Sequence, residues 1–217
     1  MQRPQGVHHR VYLLAYDLEQ QALHDRTRAA FLTRAGVLTE LAIRGYVVDA
    51  DGDVQVAKAE SAGDPALDEA LQQIAEHDRS WKSSLRHDYK QTLDTIEHHL
   101  QTTGLLEVGD KKVLGLFSRT HVTVTDPSLV KELQDEARTM LHGDRPASEM
   151  DPADAAVVAL AAAGLVPSVL SRKESRAYKD RIEALTDRVS AVAPGLQRAF
   201  QGIRTTTIAA QGGIGGG

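Results

Sequence analysis

The chain has 217 residues and carries 25 Lys and Arg against 30 Asp and Glu, a formal net charge of −5. That balance argues against a protein that grips nucleic acid over its whole surface, and the absence of cysteine excludes disulfides, thiolate metal sites and thiol catalysis. Aromatic residues make up only 4%, so the core that this length allows must come from Leu, Val, Ile and Ala.

Residues 1–10, "MQRPQGVHHR", are polar, lack the apolar stretch of a signal peptide and are expected to be disordered. Val11–Leu18 is a short apolar segment, open to helix or strand. From about His24 to Arg44 the residues Phe31, Ala35, Leu38, Leu41 and Ala42 recur at helical spacing. Gly45 then stands where a helix ends in left-handed backbone, and "YVVDADGDVQV" reads as a hairpin turning at "DADGD". The same stretch superficially resembles the start of a calcium loop; with Asp51 as position one, position twelve falls on Ala62 instead of glutamate, and the hairpin is the reading.

Asp64-Pro65 supplies an N-cap and a first-turn proline for the next helix. A later helix carries Leu85, Tyr89, Leu93, Ile96 and Leu100 as one apolar stripe and is closed by Gly104. Gly104, like Gly45, is expected at positive φ. A second hairpin follows, with Gly109-Asp110 as its two-residue turn. Asp126-Pro127 and Asp151-Pro152 start two more helices. Ala155–Val166 is small and apolar all round, the mark of a central buried helix. One or two polar helices run from Ser171 to about Ala210, and residues 211–217, ending in "GGIGGG", are expected to be a disordered tail. No linker divides the chain. The expected fold is mainly α, a single helical domain over residues 11–210 with two small β-hairpins.

No apolar run reaches the roughly 20 residues needed to span a bilayer. The chain shows no HExxH, G-x-S-x-G, P-loop or G-x-G-x-x-G pattern, so neither a cofactor nor an enzyme activity is expected. His98 and His99 are adjacent and point about 100° apart on a helix, and no clustered Asp/His set appears, so no metal site is expected. The basic residues say more. Arg34 lies about 40° around its helix from Leu38, where it can cover the core and keep its head in water. Arg86 and Lys90 are four apart and are expected to share a helix face, with Asp94 placed to pair with Lys90.

Taken in order, "LTELAIRG", a hairpin, "GDPALDEAL", a helix ending "TGLLE" and "LGLFSRTHVTVTDP" resemble the Golgi phosphoprotein 3 family. The likeness runs from about Val11 to Leu165. It implies a mainly α-helical single-domain fold. For the eukaryotic members it implies cytosolic proteins that bind phosphatidylinositol 4-phosphate and hold the cytosolic tails of membrane enzymes. On the family's headgroup pattern, an arginine six residues before the helix glutamate falls on Arg34, counted back from Glu40. The first basic residue of the later helix falls on Lys90, and Arg86 stands one turn before it. The second basic residue falls on Leu93, the tryptophan falls near Asp25, and the family's basic hairpin insert is replaced by "DADGD". Abundant alanine, no cysteine and more arginine than lysine point to a bacterial member.

The sequence therefore supports a cytoplasmic, peripheral protein at the inner face of a membrane, binding an anionic, phosphoinositide-like headgroup through Arg34, Lys90 and Arg86. One alternative is a scaffold that keeps the fold and binds a protein partner, such as the tail of a membrane protein, with oligomerisation left open. The other is a winged-helix nucleic-acid binder, suggested by two helix–glycine–hairpin units but opposed by the acidic first hairpin tip.

Overall fold

The chain enters its first helix, α1, at Val7 and leaves it at Leu14. The helix thus begins inside the segment 1–10 that the sequence suggested was disordered, and Val7, His8 and His9 are buried. Two contacts with the next long helix, α2 (Arg26–Ile43), seat it there. The Glu40 carboxylate accepts a hydrogen bond from the Val7 amide at 2.9 Å, satisfying one free N–H of the helix start. Gly36 lets the two backbones meet, since a Cβ there would lie 2.8 Å from the His8 Cα. The structure is a computed structural model and describes residues 3–203 apart from 78, 114–116, 193, 198, 199 and 202; the expected Gly-rich tail lies outside the described residues.

Between α1 and α2 a short pair, β1 (Tyr16–Asp17) and β2 (Ala22–Leu23), adds a small sheet not foreseen from sequence. After α2 come β3 (Val47–Ala50) and β4 (Asp53–Val56), joined through Asp51 and Gly52 with φ of 55° and 96°. Both central residues at positive φ define the hairpin turn expected of "DADGD". Next are α3 (Pro65–Glu76), a third strand β5 (Arg79–Ser80) paired with β4, α4 (Trp81–Arg86) and α5 (Tyr89–Thr102). The second hairpin is β6 (Leu106–Val113) and β7 (Phe117–Val124). Gly109 and Asp110 pair with His121 and Thr120 inside this ladder, so the turn is not at Gly109-Asp110 as the dipeptide suggested. Further along come α6 (Pro127–His142), α7 (Pro152–Ala163), α8 (Arg172–Ala177) and α9 (Lys179–Ser190).

Local chemistry explains the helix ends. Asp64, Asp126 and Asp151 each cap their Asp-Pro helix by accepting backbone N–H bonds. Gly45 and Gly104 lie at φ of 70° and 76°, as their positions predicted. At each, two bonds close the helix: Tyr46 N–H to Leu41 O and Gly45 N–H to Ala42 O, then Leu105 N–H to Leu100 O and Gly104 N–H to Gln101 O. Every residue from Ala155 to Ala163 is buried, and α7 packs against α9, α2, α1 and α6 as the central helix.

Candidate functional site

The site that the sequence pointed to is built where α2, α4 and α5 meet. Ser80 caps α4, its hydroxyl accepting from the Ser83 amide. The helix ends at Arg86, and His87 and Asp88 turn the chain into α5. Asp88 takes left-handed backbone at φ 49°, and its carboxylate lies 2.8 Å from His87 Nε2. The apolar stripe Leu85–Tyr89–Leu93 therefore crosses a break between two helices. Arg86 and Lys90 do not share one helix face; they flank the turn.

Arg34 reaches this junction from α2 and is 1% exposed. It does not keep its head in water. Nε donates to the Ser84 carbonyl at 3.0 Å and Nη1 to Thr92 Oγ1 at 3.2 Å, so one guanidinium joins α4 to α5. Burial lowers its pKa to about 10, resisted by the nearby Asp88 and Glu69 carboxylates. It remains a full positive charge at neutral pH. Phe31, one turn earlier on α2, stacks on Tyr89 with ring centroids 4.0 Å apart.

Arg86 and Lys90 are exposed, and neither forms an ion pair among the described residues. Lys90 Nζ lies 6.0 Å from the centroid of the Tyr89 ring. Asp94, expected to pair with Lys90, bonds Arg26 at 2.9 Å instead. Arg26 reaches it because the same guanidinium grips the buried Glu97 at 2.6 and 2.7 Å, and Glu97 also accepts from the Tyr12 hydroxyl. Asp25, where the family pattern has tryptophan, caps α2 through the Arg28 amide and faces the Arg28 guanidinium at 3.5 Å.

One cation escaped the sequence reading. Lys82 is exposed and stands four residues before Arg86 on α4, so the two share a face. The signal was present in "WKSSLR", but the stripe drawn through Leu85 gave no reason to start a helix at Trp81. Lys82, Arg86 and Lys90 surround a junction with a buried arginine at its base.

A mainly helical fold with a few small antiparallel strand pairs is the class the structure defines. The family model described as Golgi phosphoprotein 3 (GPP34) matches residues 7–203, and the chain belongs to that family. No curated protein matches the sequence. No helix among the described residues is long and apolar enough to cross a membrane.

Proposed function

We propose that the protein is a peripheral, anionic-lipid binding member of this family, and that the α4–α5 junction receives a phosphoinositide-like headgroup. Arg86 and Lys90, two exposed cations on either side of one turn and without ion-pair partners among the described residues, carry this reading. Lys82 extends the patch. Arg34 contributes charge from below and fixes the two helices, its hydrogen bonds being committed to Ser84 and Thr92. A phosphomonoester brings about −1.5 to −2 charges. Each exposed Lys or Arg near an anionic surface contributes on the order of 1 kcal/mol. Arg86 and Lys90 together then give about 30-fold in binding, at about 1.4 kcal/mol per tenfold. Asp88 works against this, as a carboxylate at the same turn.

Sedimentation with vesicles tests the reading. The full chain should pellet with phosphatidylinositol 4-phosphate vesicles at low salt, less at high salt, and not with neutral vesicles. The double substitution Arg86→Ala, Lys90→Ala should abolish the difference while leaving the melting temperature within a degree or two. Equal pelleting of the parent and the double variant at every salt concentration would reject the junction as the binding surface.

A further inference from the structure

Away from the cationic junction, three histidines from α1 and α5 converge on one carboxylate oxygen of Asp64, the residue before α3. Asp64 caps α3 with Oδ1, which accepts from the Ala66 and Leu67 amides at 2.9 and 3.2 Å. Its Oδ2 is turned the other way. It lies 3.3 Å from His8 Nε2, 3.5 Å from His9 Nε2 and 3.9 Å from His99 Nε2. Among the described residues, both ring nitrogens of His8 and Nε2 of His9 are buried with no hydrogen-bond partner in good geometry. Buried polar atoms are almost always satisfied, so three orphaned nitrogens beside one carboxylate call for a ligand.

The rings are arranged to share one. Neighbours on a helix diverge by about 100°, yet the His8 and His9 rings sit 4.0 Å apart, and His9 stacks on His99 at 5.1 Å with planes 6° apart. His98 is exposed, so the divergence expected of the His98–His99 pair holds and sends only His99 inward. In tetrahedral zinc, bonds of about 2.0–2.2 Å place neighbouring ligand atoms about 3.3 Å apart. The two closest pairs here stand near that spacing, and the candidate atoms of His8, His9 and Asp64 all lie within 4.8 Å of one another.

We propose that His8, His9 and Asp64 bind one divalent transition-metal ion, with the remaining coordination position open toward His99, and that Zn2+ is the ion this two-nitrogen, one-oxygen set suits. The ion ties α1 to the start of α3 as a structural staple, with His99 of α5 at its rim. It enters from the His99 side, where that side chain is 27% exposed against 2% for His8. The inference is independent of the lipid reading, since it uses none of the junction residues.

The test uses the full chain purified without a histidine tag, titrated with Zn2+ against a chromogenic chelator and separately with Co2+. One Zn2+ per chain is expected, with a rise in melting temperature, and Co2+ should show the visible absorption of a four-coordinate site. Asp64→Asn keeps the helix cap, because Asn caps as well as Asp. It should weaken Zn2+ at least about tenfold, since even outer-shell losses cost 10–100-fold. His99→Asn, at the half-buried rim, should weaken it too and guards against a folding defect in the first variant. His98→Asn should change nothing. Absence of one-to-one binding by the parent would overturn the site, as would binding lost with His98→Asn and retained with Asp64→Asn.

Discussion

Replacing Arg34 by Ala removes the side chain that joins α2 to both the Ser84 carbonyl and the Thr92 hydroxyl. Hydrogen bonds from a charged group and a large-to-small core change are each substantial, so a loss of about 3 kcal/mol is expected in urea unfolding. Arg34→Lys should not restore it, because one ammonium cannot match the fork of a guanidinium. The α2 helix is buried all round from Leu32 to Thr39, whereas the sequence put Arg34 at the margin of a buried stripe. It gave no sign that a helix-end carbonyl would be delivered there, since that depends on where α4 stops. Trp81 shows the same limit. It is fully buried, and a Cβ on Gly195 would fall 1.9 Å from its indole. Gly195→Ala should therefore cost about 1–3 kcal/mol through overpacking, with thermal unfolding as the check.

At the scale of elements, helix starts and stops were the most legible features, because they rest on local chemistry. Asp-Pro places a cap and a pre-set φ side by side, and the terminal glycines supply positive φ without a Cβ penalty. Gly45→Ala should lower stability by about 1 kcal/mol, readable in the denaturation midpoint. The break at His87-Asp88 was illegible for a physical reason. Leu85, Tyr89 and Leu93 keep four-residue spacing across it, and neither Gly nor Pro marks it. Aspartate entered left-handed backbone there, which it tolerates better than most residues. The second hairpin turn was misplaced because Gly-Asp is favourable in a turn yet was absorbed by a longer ladder. The start of α1 was missed because its polar histidines disguise a buried face.

For the whole molecule, the order of short blocks carried more than any one of them, and the family match over residues 7–203 agrees with the mainly α fold it implied. The binding surface was only partly legible. Charged residue types could be read, but their exposure and pairing depend on long-range contacts such as Arg26 drawing Asp94 away from Lys90. The same logic gives a prediction of opposite sign to the usual loss. Asp88→Asn tolerates the left-handed backbone and removes a carboxylate beside Arg34, so it should increase vesicle pelleting at low salt. The central claim is that the α4–α5 junction faces the anionic lipid. Hydrogen–deuterium exchange of the full chain, with and without phosphatidylinositol 4-phosphate vesicles at low salt, tests it most directly. Exchange should slow across residues 82–92 and little elsewhere. Vesicles that pellet the protein while leaving exchange in 82–92 unchanged would contradict the account.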